Sequence, residues 1–191
     1  MTRTVLAIAL VAACSMVVPK GKPLEMRYFT PETAAARPSP AAAAAPRVAL
    51  RLGRVIASAD LRDAIVHRDS AVEVEPYQAL RWTETPDAYV RRALARALFE
   101  TRPFAQAVAG AAPALDVELV GFEEVRRGAR SSGRVELRYE LRDDRVVLAR
   151  GTIAIERPSP SARIEDVVAA IGAALDAAAG EVAERVAVQL A

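Results

Sequence analysis

The stretch Arg134-Val135-Glu136-Leu137-Arg138-Tyr139-Glu140-Leu141 alternates charged and apolar side chains without a break. Successive side chains of a strand point to opposite faces, so Val135, Leu137, Tyr139 and Leu141 define a buried face and the charged residues a wet one. A turn at Asp143-Asp144 leads into a second run, Val146 to Glu156, and so short a connection makes the two an antiparallel hairpin. Pro158-Ser159-Pro160 ends that strand. The period then changes from two to helical. Ile164, Val168, Ile171, Leu175, Val182 and Val186 form the apolar stripe of a helix from about Ala162 to Leu190. Gly172 and Gly180 lie inside it, each costing roughly 1 kcal/mol relative to alanine, which points to close packing or a local kink.

The same patterning extends upstream. Val48, Leu50 and Leu52 alternate with Arg47, Ala49 and Arg51, and Leu61–His67 and Ala71–Leu80 read as two more strands. Thr85-Pro86-Asp87 announces a helix: a capping hydroxyl, proline in the first turn and an acid near the positive end of the dipole. Val90, Ala93, Leu94, Ala97 and Leu98 form its inner face, Arg91, Arg92 and Arg96 face elsewhere, and Pro103 ends it near Thr101. Leu115, Val117 and Leu119 start another strand, with a bulge at Gly121 before Phe122. Strands, helix, strands, helix, without a βαβ series, give an α+β two-layer sandwich: a mostly antiparallel sheet with two main helices packed on it.

The N-terminus has a different character. Arg3 is a short positive region and Val5–Leu10 an apolar one, and Val11-Ala12-Ala13-Cys14 matches a lipobox. The apolar run partitions into the bilayer, the small residues admit the peptidase, and the thiol accepts diacylglycerol. The apolar stretch from Val5 to Val18 is 14 residues, short of the ~18–20 of a membrane span. Residues 1–13 therefore read as a lipoprotein signal peptide and Cys14 as the lipidation site of an exported bacterial lipoprotein. Ser15, rather than aspartate, fits outer-membrane sorting. Residues 14–46 hold the lipidated N-terminus and a Pro/Ala-rich tether or loop, Thr30–Pro46, with Met26–Phe29 as a candidate short strand; residues 47–191 form the domain.

The chain carries 26 basic and 24 acidic side chains, and its only lysines are Lys20 and Lys22. The charges are interleaved, with no basic stripe and no aromatic stacking platform, so nucleic acid is not an expected partner. With Cys14 the only cysteine, the domain has no disulfide and stands on packing alone. His67 is the only histidine; Asp69 and Ser70 lie near it in sequence, but strand neighbours face opposite ways, so no triad follows. One histidine and a lipidated cysteine do not build a metal site. The pairs Glu123-Glu124 and Asp143-Asp144 read as solvated strand and turn residues. Without a P-loop or dinucleotide fingerprint, no enzyme is expected and no cofactor beyond the lipid on Cys14. Trp82, the only tryptophan, reads as a core residue covering the helix start, with Arg81 paired to a nearby acid; a partner-docking patch is the other reading.

The run Ile65-Val66-His67-Arg68-Asp69-Ser70, followed by Tyr77, Arg81-Trp82 and Pro86, resembles the ABC-type transport auxiliary lipoprotein family. The likeness continues through Arg102-Pro103-Phe104, Phe122-Glu123 and the alanine-rich final helix, and Tyr28-Phe29 resembles that family's first strand. Thr83-Glu84-Thr85 departs from its small-acidic-proline pattern, and the Thr30–Pro46 insertion is longer. The resemblance implies a noncatalytic subunit of a lipid transport system in the cell envelope, facing the periplasm. Its partners would be a Mce-type periplasmic protein and an ABC permease and ATPase, with the membrane reached through the anchor. Self-association stays open. It also marks Arg68, Asp69, Tyr77, Arg81, Trp82, Pro86 and Phe122 as family-motif or partner-contact residues. Two alternatives remain at this point: a structural or assembly lipoprotein of outer-membrane or peptidoglycan machinery, and a carrier enclosing its own lipid.

Overall fold

A computed structural model describes residues 24–31, 48–102, 104–108, 110–144 and 146–191. The elements run β1 (Arg27–Phe29), β2 (Val48–Ala57), β3 (Ala64–Arg68), β4 (Val74–Trp82), α1 (Pro86–Ala95), β5 (Phe104–Gln106), β6 (Ala114–Arg127), β7 (Arg130–Arg142), β8 (Val147–Pro158) and α2 (Ile164–Leu190). The signal-peptide residues 1–13, Cys14 and residues 32–46 of the Pro/Ala-rich stretch lie outside the described residues, as does Pro103.

Strand β6 organises the sheet. On one side β7 pairs with it antiparallel along its whole length, from Ala114↔Arg142 to Arg127↔Arg130, and β8 continues the meander beyond β7. On the other side two strands share β6 end to end: β2 runs parallel to its first half, and β3 parallel to its last part. β4 pairs antiparallel with β3, while β1 and β5 add short parallel pairings to β4 and β2. The long ladders are thus antiparallel, as the hairpin patterning required. The short parallel pairings had no signal in strands of three to ten residues joined over long stretches of chain.

Both helices lie on one face, making the expected α+β two-layer arrangement. Val168, Ile171, Leu175, Val182 and Val186 of α2 are buried in a core with Leu115, Leu119, Val135, Leu137 and Leu141. Burying each such side chain stabilises by ~1.5–3 kcal/mol. A Cβ on Gly133 would collide with the backbone of Ala170 and Ile171, so glycine is what lets α2 lie flat on β7. Gly172 has the same role against the Pro31 carbonyl, bringing the segment after β1 onto the helix, whereas Gly180 faces open space.

One local expectation is corrected. Thr85 occupies the cap position of α1, but its hydroxyl makes no capping bond. The helix entry is tied instead by the Tyr89 hydroxyl, which meets the Thr83 hydroxyl at 2.7 Å and accepts the Glu84 N–H at 3.1 Å. After Ala95 the helix widens into one π-type turn, Arg96–Glu100, and ends at Thr101, where proline two residues on led it to be expected.

Candidate functional site

Val120 is an extra residue in β6: Leu119 and Gly121 face the consecutive residues Leu137 and Glu136 of β7. Up to the bulge the odd-numbered Leu115, Val117 and Leu119 point to the helices. Beyond it the even-numbered residues do, so Phe122 enters the core and Glu123 turns to the outer face. Without the bulge these two side chains would exchange faces. Glu123 and Glu124, read from sequence as solvated, are 2% and 1% exposed, and lie on opposite sides of the sheet. Partner strands make this burial tolerable, since a buried carboxylate needs charge or hydrogen-bond compensation.

On the outer face Glu123 accepts two bonds from Arg68, at 2.9 and 3.1 Å, and one from Arg134 at 2.7 Å. Arg134 also pairs with Glu136. The bond from Glu123 holds the Arg68 guanidinium above its usual value against the cost of burial. Nearby, Glu156 is held below the usual carboxylate range by bonds from Arg127 and from the Ser132 hydroxyl.

On the inner face Glu124 accepts from the Tyr77 phenol at 2.5 Å, the Ser131 hydroxyl at 2.6 Å and Arg126 Nε at 3.2 Å. Burial, reinforced by the bond to Glu124, pushes the Tyr77 phenol up to about 12. The Arg126 guanidinium lies over the Tyr77 ring at 5.1 Å and bonds its hydroxyl. Burial works against its charge, but Tyr77, Glu124 and Asp69 outweigh that and raise its value. Asp69 stands 3.6 Å from Arg126 and 3.2 Å from Nδ1 of His67. That Nδ1 is buried and, despite the short distance, makes no well-aligned hydrogen bond. The Ser70 hydroxyl is turned away from His67 in function: it accepts the Val72 and Glu73 N–H groups and closes the β3–β4 turn.

The sequence-derived candidates therefore separate into two groups. Arg68 binds Glu123 on the outer face, while Tyr77 binds Glu124 on the inner face and Asp69 reaches it through Arg126. Trp82, Phe122 and Pro86 are buried, with the Trp82 ring 5.1 Å from Phe122 and 6.1 Å from Tyr89 over the helix start. Arg81 joins the two groups. Between Ala64↔Arg81 and Val66↔Pro76, β4 spends four residues where β3 spends one, and Arg81 bonds the carbonyls of Tyr77 and Leu80 in that bulge at 2.8 and 2.9 Å. Its Nε is 3.5 Å from Asp63, the acid expected beside it. Glu123, Glu124, Arg126, Ser131 and Arg134 were not singled out as site residues from sequence. The one available signal was the bulge itself, which decides their faces.

The outer face also carries an open cavity of about 610 Å³, lined by Arg54, Asp116, Glu118, Arg138, Glu140, Arg142 and Arg150, with Ile56, Val117, Tyr139, Gly151 and Thr152 between them. Arg142 pairs with Asp116 at 2.9 Å and Arg138 with Glu118 at 2.7 Å, while Arg150 lies opposite Glu140. Among the described residues no group of three or more acidic, histidine or cysteine side chains is placed to hold a metal, and no helix is long and apolar enough to cross a membrane.

Comparison with known proteins places this architecture. No curated protein matches the sequence. A crystal structure of a Xanthomonas campestris protein superposes with a TM-score of 0.72 at 22% identity, over 85% of this chain and 96% of its own. A second solved structure, of an uncharacterised protein, gives 0.64 at 13% identity over 85% and 99%. A hypothetical protein from Chlamydia trachomatis gives 0.51 at 9% identity over 73% and 95%. At these identities the likeness is one of fold. Residues 29–183 match the family described as ABC-type transport auxiliary lipoprotein component, and the chain belongs to that family.

Proposed function

We propose that this protein is the noncatalytic, lipid-anchored subunit of an ABC transport system that moves lipid, phospholipid foremost, between membranes of the cell envelope. In this reading Cys14 carries the anchor, in the outer membrane, and the domain docks a Mce-type periplasmic protein served by a separate permease and ATPase. The observation that carries the docking role is the outer face of the sheet. The helices leave it open, a buried carboxylate ties Arg68 to Arg134 across it, and its cavity is rimmed by arginine and carboxylate side chains around Ile56, Val117 and Tyr139. Such a charged rim suits a polar protein surface, and a cavity open along the face of a sheet does not enclose an acyl chain. This favours a docking subunit over a carrier that encloses its own lipid.

The test is genetic. A deletion strain should show disturbed phospholipid distribution between the two membranes. The wild-type chain should restore it, and a Cys14→Ala chain should not. Unchanged lipid distribution in the deletion strain would remove the lipid-transport reading.

A further inference from the structure

Strand β1 lies at the edge of the sheet, paired with β4 alone among the described residues. Its side chains divide cleanly. Phe29 packs against the core, and Arg27 turns to the same side, pairing with Glu165 at the start of α2 at 2.7 Å and lying over the Phe29 ring at 4.9 Å. Tyr28 sits between them and so points to the opposite face, where it is 64% exposed. At alternate positions before it, Met26 is 40% and Leu24 is 58% exposed. Three large apolar side chains thus lie in water within five residues, beside a strand edge that no described residue pairs. A sheet edge of this kind is ordinarily blunted by charge or covered.

The position of the anchor says what covers it. Leu24 is ten residues from Cys14, a reach of at most ~35 Å when fully extended. β1 is therefore the strand nearest the lipid along the chain. Lys20 and Lys22, the only two lysines of the protein, fall in that short interval, where cations suit an anionic headgroup surface. A tyrosine, with an apolar ring and a polar tip, suits the membrane interface.

We propose that Leu24, Met26 and Tyr28 rest in the headgroup region of the bilayer that holds the anchor, so that β1 lies along the membrane and fixes the orientation of the charged outer face. This inference rests on the anchoring reading of Cys14. The domain is then seated on the bilayer at a defined angle and does not swing freely on a tether.

The test uses the lipidated mature protein carrying Met26→Cys, reconstituted into vesicles of phosphatidylethanolamine and phosphatidylglycerol and labelled with bimane. Lipidation of Cys14 leaves the introduced thiol as the only free one. Tyr28→Cys serves as a second site, and Val188→Cys, at an exposed position near the end of α2, as the distant reference. At positions 26 and 28 nitroxide-labelled lipids should quench the probe and iodide quenching should fall several-fold on reconstitution, with neither change at 188. Iodide access at 26 and 28 equal to that at 188 overturns the proposal. Protection from iodide without nitroxide quenching also overturns it, and assigns the edge to a second protein. Protein that fails to float with the vesicles rejects the anchor itself, and this inference with it.

Discussion

Tyr77 and Glu124 are 47 residues apart in sequence, yet the phenol donates to the carboxylate at 2.5 Å and the two close the inner end of the sheet. The bond crosses from the bulge of β4 to β6, strands that do not pair with one another. It therefore joins the part of the sheet added by β3 and β4 to the central meander. Tyr77→Phe keeps the ring and removes the donor to a buried carboxylate, a loss of about 1.5–3 kcal/mol. Urea unfolding monitored by circular dichroism checks it, and a loss below a few tenths of a kcal/mol would contradict the role given to Tyr77.

The same phenol makes stability depend on alkaline pH. Its value rises from 10.0 in the unfolded chain to about 12 in the fold, so between those values the folded state holds the proton more tightly. The contribution is fully present below pH 10.0 and is lost as pH rises toward about 12. Wild-type stability should fall across that window more steeply than that of Tyr77→Phe. Parallel slopes in the two proteins would show that neither burial nor Glu124 raises the phenol.

Glu123 and Glu118 separate buried from exposed pairing on one face. Glu123→Ala leaves Arg68 and Arg134 without their shared acceptor and costs about 2 kcal/mol or more. Arg138→Ala, which breaks the solvent-exposed pair with Glu118, costs less than about 1 kcal/mol. The comparison is made by thermal unfolding of the two variants side by side. Equal losses would mean that the buried network contributes no more stability than the rim.

Two glycines predict opposite signs. Gly133→Ala pushes a Cβ into the backbone of α2 and should destabilise by about 1–3 kcal/mol, as overpacked cores do. Gly180→Ala meets nothing within 4 Å and should stabilise by about 0.5–1 kcal/mol through helix propensity. Denaturant midpoints of the two proteins settle the signs.

How much of this was legible beforehand follows from which interactions are local. The alternation of Val135, Leu137, Tyr139 and Leu141 shows directly in sequence because a strand has period two, and all four are buried. The stripe of α2 shows for the same reason at helical period. Trp82 sits in the core beside Arg81 and its acid, as expected of a large aromatic just ahead of a helix start. Burial of Glu123 and Glu124 was not legible. That of Glu123 depends on Arg68, 55 residues away across a parallel pairing, and on Arg134, brought opposite by a one-residue bulge, and that of Glu124 on Tyr77, 47 residues away. The bulge at Gly121 was foreseen, but its consequence needs the partner strand to be known. The Thr85 cap failed because a tyrosine hydroxyl four residues on took over the helix entry, a tertiary choice that local propensity does not encode. The short β1 and its parallel pairing to β4 are likewise set by tertiary contacts, with Gly172 admitting Pro31 to the surface of α2.

What the protein binds decides its role most directly. The lipidated protein, affinity-tagged at its C-terminus, is to be recovered from mild-detergent envelope extract and its companions identified by mass spectrometry. A Mce-domain protein together with its permease and ATPase is the expected result. Recovery of only cell-wall or outer-membrane assembly proteins would contradict it and make this member of the family an assembly lipoprotein.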